Sequence, residues 1–285
     1  MSPFLFGMLM SVLMHDARPM LTEDARRAVE AGDLEDVLFA DDTLLISRVG
    51  RHLDEYLAAV TKCGAQYGLQ MHWDKVHYVP VCTQQKAHGP NGDEIPARES
   101  MMYLGSTIHS SGRFGCEVAR KIGAATADFH ALDKVWKHSC ISRARKLELY
   151  ASLIESKLRY ALSSAWLLKV DLRRLDGFQA RCLRKILGVP HSFTSRVSNV
   201  SVLQQSGRRS LSELVKDGQI GLMQRVLVSP QKQVLREVAF HKGTLIPETA
   251  YYVRRMGRPR QNWTEQVLDF ARADRSWREI AARIM

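Results

Sequence analysis

The sequence lacks the motifs that mark several common enzyme classes. It has no Gly-x-Ser-x-Gly, no His-Glu-x-x-His and no Gly-rich phosphate loop. Hydrolase, metalloprotease and nucleotide-kinase activities therefore have no supporting motif. No two of the five cysteines form a Cys-x-x-Cys pair, which argues against a zinc site and a disulfide framework. Isolated thiols are typical of a reducing compartment, so we expect an intracellular protein, nuclear or cytoplasmic. The cysteines are Cys63, Cys82, Cys116, Cys140 and Cys182.

Long apolar runs are also missing. Residues 4–14 form the one notable run, and it is too short to span a bilayer. No basic residue precedes this run and no small-residue cleavage site follows it, which argues against a signal peptide. We expect a buried helix here, and neither secretion nor a membrane partner.

Beyond residue 112, basic residues outnumber acidic residues about two to one. The 285 residues carry a net charge of +11 and are 45% apolar, enough for a sizeable core and two or three subdomains. Residues 1–112 hold 9 Lys and Arg against 15 Asp and Glu; residues 113–188 hold 16 against 7, and residues 189–285 hold 16 against 8. The basic two thirds are suited to a phosphate backbone. A merely solvated basic surface is the alternative.

Two adjacent carboxylates, Asp41 and Asp42, lie between the apolar stretches 37–39 and 44–46. This pattern predicts a β-hairpin whose tip carries both side chains. Carboxylate oxygens suit Mg²⁺, and polymerase chemistry uses two such ions. An ordinary solvated turn is the alternative, because Asp is common in turns.

Four segments together resemble a known family. Residues 2–6 (SPFLF), the Asp41-Asp42 pair, residues 68–75 (GLQMHWDK) and residues 103–105 (YLG) occur in the order of palm motifs B, C, D and E. The family is the reverse transcriptases of non-LTR (LINE-type) retrotransposons. The resemblance implies an α+β fold, with antiparallel hairpins and helices in a partial palm over residues 1–112. It further implies a helical thumb bundle over residues 113–190 and a basic, mostly helical C-terminal region over residues 191–285.

The resemblance also implies roles for individual residues. Asp41 would be a Mg²⁺ ligand supported by Asp42, and Lys75 would protonate the departing pyrophosphate. The primer grip would comprise Tyr103, Leu104 and Gly105. The implied partners are an RNA template and a DNA primer, with a dNTP as the substrate of the intact enzyme.

Two parts of the family pattern are absent. Motif A, which supplies a further metal-binding Asp, and the Gln-Gly pair that opens motif B are not in the sequence. His72 and Val76 stand where the family usually has Asn and Thr. We therefore expect a fragment of an RNA-directed DNA polymerase that does not polymerise alone. The alternatives are a catalytically dead nucleic-acid-binding module and a decayed retroelement remnant.

Helical periodicity dominates the middle of the chain. Apolar residues at alternating steps of four and three predict one helix over residues 117–136. A second helix is predicted from an N-cap at Ser142 to Leu168, and a third over residues 171–186, ending at Gly188 with Pro190 beyond. Short helices separated by Gly207 and Gly218 are expected over residues 197–219.

Basic clusters mark the remaining candidates for nucleic-acid contact. Arg181, Arg184 and Lys185 lie near the end of the third predicted helix, where they could bind phosphate or simply favour the helix dipole. Arg258 and Arg260 belong to an arginine-rich segment around Gly and Pro, predicted to be an exposed loop. Trp263 is predicted to open an amphipathic helix directly after it.

Overall fold

The computed structural model describes residues 3–228, 235–236, 239–240 and 262–273. The chain divides into two compact units, an N-terminal unit (Met1–Gly112) and a helical unit (Arg113–Met285). Most described residues are helical and the strands form small antiparallel hairpins, which agrees with the expected α+β class. No helix of the described ranges is both long and apolar enough to cross a membrane.

The N-terminal unit packs helices against a β-hairpin. Its helices are α1 (Pro3–Ala17), α2 (Glu23–Glu30) and α3 (Gly50–Gln66), with 3-10 turns at Arg18–Met20 and Trp73–Lys75. Its strands are β1 (Leu34–Phe39), β2 (Asp42–Ser47), β3 (Ala87–His88), β4 (Glu94–Ile95), β5 (Ser100–Tyr103) and β6 (Ser106–His109). They pair as three two-stranded sheets, β1 with β2, β3 with β4, and β5 with β6.

The apolar run at residues 4–14 does form a helix, but the prediction that this helix is buried is wrong for its first three turns. In α1, Leu13, Met14 and Ala17 join the core of the N-terminal unit. Phe4 and Met8 are exposed, as are Leu5 and Val12. Periodicity alone could not distinguish a helix buried at one end from one buried throughout.

Nine helices whose bounds are described build the helical unit. They are α4 (Gly115–Ala131), α5 (Asp133–Lys137), α6 (Arg143–Tyr150), α7 (Ser156–Arg159), α8 (Lys169–Leu187), α9 (Ser192–Ser195), α10 (Asn199–Ser206), α11 (Leu211–Val228) and α12 (Trp263–Ala273). A π-helical turn, Ala151–Glu155, joins α6 to α7, and a 3-10 turn, Leu162–Ser164, follows. The main core lies between α4, α6, α8 and the segments that connect them.

Helix α8 agrees with its prediction. Its apolar stripe, with Leu175, Phe178 and Cys182, is buried. The helix ends at Gly188, which has φ +72°, a conformation that glycine adopts without strain. Predicted and observed bounds differ by at most two residues at each end.

Two predicted long helices are broken in the structure. The helix predicted over residues 117–136 divides at Leu132 into α4 and α5. The second predicted helix does begin after Ser142, whose side chain accepts a hydrogen bond from the Arg145 amide. It ends at Arg159 instead of Leu168, because Ala161 has φ +57° and turns the chain.

The predicted helix break at Gly218 is wrong, whereas the break at Gly207 is confirmed. Gly207 has φ +63° and ends α10. Helix α11 continues through Gly218, where a Cβ atom would lie 2.7 Å from the Ser163 hydroxyl. A larger residue here would force the Ser163 hydroxyl to rotate away, so Gly218 marks a close approach of the 3-10 turn and not a helix end.

Candidate nucleic-acid and metal site

The predicted Asp-Asp hairpin is confirmed. Strands β1 and β2 pair antiparallel in a register that closes on Phe39 opposite Asp42, so Ala40 and Asp41 form a two-residue loop. Ala40 has φ +52°, an uncommon conformation for a residue with a side chain. Strained backbone of this kind is held by its surroundings and is frequent at functional sites.

The two faces of this hairpin differ in environment. Leu38 and Leu45 pack against the core of the N-terminal unit. Directly opposed residues of an antiparallel pair share a face, so Asp42 lies on the other face together with Phe39. Both Asp41 and Asp42 are exposed. The structure therefore presents the two carboxylates at an open hairpin tip.

Asp36 anchors the base of the hairpin. The Tyr56 hydroxyl of α3 donates to Asp36 Oδ1 at 2.6 Å, and Arg18 Nη2 donates to the same oxygen at 3.0 Å. Burial and the hydrogen bond to Asp36 raise the pKa of Tyr56 to about 12. Sequence reasoning missed this residue. The sequence signal is a carboxylate midway between the core-facing Leu34 and Leu38, on the strand face where an apolar side chain is expected.

The Tyr-Leu-Gly segment closes a second hairpin. Tyr103 pairs with Ser106, which leaves Leu104 and Gly105 as the loop. Their φ angles are +48° and +76°, and two positive values in a row are the signature of a type I′ turn. Leucine is an unusual residue for such a turn, so its position there is maintained against a local conformational cost.

Tyr103 connects the two hairpins. Its hydroxyl donates to the Val37 carbonyl oxygen of β1 at 3.4 Å. The pKa of Tyr103 is raised, first by burial and then by the negative charge of Asp42. The structure thus brings Tyr103 to the strand pair that carries Asp42, which is 61 positions away in the sequence.

Lys75 is not drawn into this group. It is exposed in the 3-10 turn Trp73–Lys75. Within the described ranges no hydrogen bond or ion pair joins Lys75 to Asp41 or Asp42. Its assignment as a proton donor rests on the sequence resemblance.

The donor set at the hairpin tip fits a divalent cation only in part. Two adjacent carboxylates supply the oxygen ligands that Mg²⁺ prefers. A two-ion site needs further oxygen ligands, and the described residues contain no group of three or more His, Cys, Asp or Glu that could hold a metal ion. The described residues alone do not complete a two-metal site.

The three cations near the end of α8 have different environments. Arg181 is exposed. Arg184 is 6% exposed, and its guanidinium donates to four acceptors that follow α8. These acceptors are the Pro190 and Val197 carbonyl oxygens, Asn199 Oδ1 and the Ser195 hydroxyl. This geometry indicates a structural role for Arg184.

Lys185 is half-buried and forms an ion pair with Asp133. Lys137 and Lys185 together hold the pKa of Asp133 at about 2. The ion pair ties α8 to α5, so Lys185 also has a structural role in this conformation. Of the three predicted contacts, Arg181 is the one with an exposed side chain.

The C-terminal basic segment is described only at its end. Arg258 and Arg260 lie outside the described residues. Helix α12 begins at Trp263 as predicted, and the Trp263 indole donates to the Ser163 carbonyl oxygen at 3.1 Å. Gln266 exchanges two hydrogen bonds with the Leu167 backbone. The helix that follows the arginine-rich segment is therefore firmly docked on the helical unit.

The two hairpins joined through Tyr103 lie within a segment that matches a known family. Residues 1–108 match the family model of the reverse transcriptases (RNA-dependent DNA polymerases). The matched residues of this reverse transcriptase-related segment include Asp41, Asp42, Lys75 and Tyr103. No curated protein and no solved structure matches the chain significantly.

Proposed function

We propose that this chain is a portion of the reverse transcriptase of a non-LTR (LINE-type) retrotransposon. The end of motif B and motifs C, D and E would form a partial palm over residues 1–112. Residues 113–190 would form the thumb, and residues 191–285 a basic region that contacts nucleic acid. The order of the motifs and the family match of residues 1–108 support this proposal.

One observation carries the proposal, namely the juxtaposition of Tyr103 with the strand pair that bears Asp42. A polymerase must hold the primer 3′ end beside its metal-binding carboxylates. In this proposal Tyr103 to Gly105 would be the primer grip, and the hydrogen bond from Tyr103 to Val37 would hold it beside the strand pair that bears the two carboxylates. Tyr103 and the strands that bear Asp42 are far apart in the sequence, so chain connectivity does not explain their proximity. A shared role in positioning the primer would explain it.

The proposed roles follow the geometry of each residue. Asp41, at the exposed turn, and Asp42, beside it, would supply carboxylate oxygens to Mg²⁺, which would stabilise the charge that develops during phosphoryl transfer. Lys75 would donate a proton to pyrophosphate in the complete enzyme. RNA template, DNA primer and dNTP are the proposed partners.

In the helical unit we propose that Arg181 contacts a phosphate of the template and primer duplex. Residues 113–188 carry a net charge of +9, with 16 Lys and Arg against 7 Asp and Glu. Arg181 is exposed within this basic region, and each phosphate neutralised by such a cation releases counterions. Arg184 and Lys185 would stabilise the fold around the end of α8. Arg258 and Arg260 remain proposed contacts.

Replacement of Arg181 by glutamine tests this contact. We expect the variant to bind an RNA–DNA primer–template more weakly, and the slope of log affinity against log salt to fall by about one. Fluorescence anisotropy titrations at several salt concentrations measure both quantities. Arg27→Gln, an exposed arginine of the acidic N-terminal unit, is the matched control. Equal slopes for the two variants would remove Arg181 from the interface.

The same primer–template serves an extension assay. We expect no Mg²⁺-dependent incorporation of dNTP by the purified chain, because two carboxylates do not complete a two-ion site. Incorporation that Asp41→Asn abolishes would show that the chain is a complete polymerase. Binding without synthesis, even when a segment carrying motif A is joined in frame, would favour a nucleic-acid-binding module with no catalytic role.

A further inference from the structure

Phe193 is the most exposed large hydrophobic side chain in the described part of the chain. It is 80% exposed, in the short helix α9 that follows α8. Exposed single apolar residues are common on protein surfaces, but an aromatic ring presented so fully is a candidate contact residue.

The segment that carries Phe193 is held in place by a buried cation. Arg184 of α8 donates to the Pro190 carbonyl oxygen at 3.0 Å, before the short helix, and to the Val197 carbonyl oxygen at 2.7 Å, after it. Inside the turn, the Phe193 amide donates to His191 Nδ1 at 3.3 Å. One guanidinium thus fixes both ends of the segment, and the ring is displayed from a rigid support.

Arg196 is positioned against the ring of Phe193. Its guanidinium carbon lies 5.9 Å from the ring centroid, within the range of a cation–π contact. Arg196 has φ +57°, a conformation that costs energy for a residue with a side chain. Its amide donates to the Ser192 carbonyl oxygen at 3.0 Å, which closes the turn and holds the arginine beside the aromatic ring.

The charge around this pair favours an anionic ligand. Arg181 lies one turn before Arg184 on α8, so the two are neighbours on the helix surface. Arg181 and Arg196 are both exposed. An exposed aromatic face beside cations is the arrangement with which proteins bind single-stranded nucleic acid, since every base has a face that can stack.

We propose that Phe193 and Arg196 form a stacking platform for one base of single-stranded nucleic acid, with Arg196 beside the ring to contact a flanking phosphate. This inference rests on the proposed nucleic-acid-binding function and adds a single-stranded ligand and a defined base contact to it. A duplex would not use the platform, because its bases are already paired across the strands and stacked on their neighbours.

Phe193→Ala tests the platform. With a fluorescein-labelled single strand of about twelve nucleotides, the variant should bind roughly ten-fold more weakly than the wild type. Binding of a duplex of the same length should not change. Phe193→Trp should restore single-strand affinity, because indole also stacks. Parallel titrations with oligo(U) and oligo(dT) distinguish RNA from DNA as the preferred strand.

Tyr160→Ala is the matched control. Tyr160 is also an exposed aromatic residue of the helical unit, and Lys121 Nζ lies 5.2 Å from its ring centroid. The Lys121 side chain is buried within the unit, whereas Arg196 beside Phe193 is exposed. This variant should bind single strands as the wild type does. Circular dichroism melts of all variants identify any loss of folding.

A direct readout of stacking uses a strand with one 2-aminopurine. Its fluorescence should be quenched when it binds to the wild type and much less when it binds to Phe193→Ala. If the wild type binds single strands but Phe193→Ala matches Tyr160→Ala in affinity and quenching, the platform is refuted and the proposed function stands. If the wild type binds no nucleic acid, both are refuted.

Discussion

Replacing Arg184 by alanine is expected to lower the free energy of unfolding of the helical unit by about 3 kcal/mol. Arg184 is 6% exposed, and its guanidinium satisfies acceptors on both sides of α9. Truncation leaves the Pro190 and Val197 carbonyl oxygens without this donor and opens a cavity beneath the segment. Loss of a partner by a buried polar group is one of the few mechanisms that give large effects of single substitutions.

Chemical denaturation followed by circular dichroism measures this loss. Arg181→Ala, one turn earlier on α8 and exposed, is the control and should change the free energy of unfolding by no more than about 0.5 kcal/mol. Arg184→Lys should fall between the two, because an ammonium group keeps the charge but cannot reproduce the planar arrangement of donors. Equal stability of the Arg181 and Arg184 variants would contradict the structural role of Arg184.

The second large effect is expected at Asp36. Asp36→Ala should destabilise the N-terminal unit by about 3 kcal/mol, because it removes the shared acceptor of Tyr56 and Arg18. The Tyr56 side chain is fully buried, so its hydroxyl would lose its partner with no access to water. The anchor of β1 to α3 would be lost with it.

The matched control for this variant is Glu35→Ala, the adjacent acid on the opposite face of β1. It should leave stability nearly unchanged. Hydrogen exchange of the β1 and β2 amides provides a local readout, and protection there should fall in Asp36→Ala while α8 stays protected. A variant whose hairpin amides remain as protected as those of the wild type would show that Asp36 does not hold the hairpin.

The hairpin at Asp41 and Asp42 and helix α8 could be predicted because their signals are local. The hairpin is read from two apolar stretches around two Asp residues, and α8 from one apolar stripe with Gly188 at its end. In both cases the residues that determine the element lie within the element. Local patterns also identified Ser142 as an N-cap and Trp263 as the start of a helix.

The breaks in the helical unit could not be predicted in the same way, since distant residues stabilise them. Ala161 turns the chain so that Leu162 and Leu167 are buried. Gln219 of α11 then donates to the Ala165 carbonyl oxygen, and Gln266 of α12 bonds the Leu167 backbone. These partners come from up to 99 positions away in the sequence. Tertiary contacts here override helical periodicity.

The candidate site likewise combines features with local sequence signals and features set by distant contacts. The sequence predicts Asp41, Asp42 and Tyr103 through their motifs, but their proximity depends on the hydrogen bond from Tyr103 to β1. Basic residues are harder to interpret, because Arg181 and Arg184 have the same chemistry and differ only in burial. Arg184 became buried because the segment after α8 folds over it, which a charge count cannot reveal.

We propose that the tip of the Asp41-Asp42 hairpin and the Tyr103 hairpin together receive a primer 3′ end. A DNA primer with a photoreactive 4-thiothymidine at its 3′ end, annealed to an RNA template and irradiated with the full chain, tests this most directly. Mass spectrometry of the crosslinked peptides should identify residues near Asp41 and near Tyr103. Efficient crosslinks confined to the helical unit, with none to either hairpin, would contradict the claim.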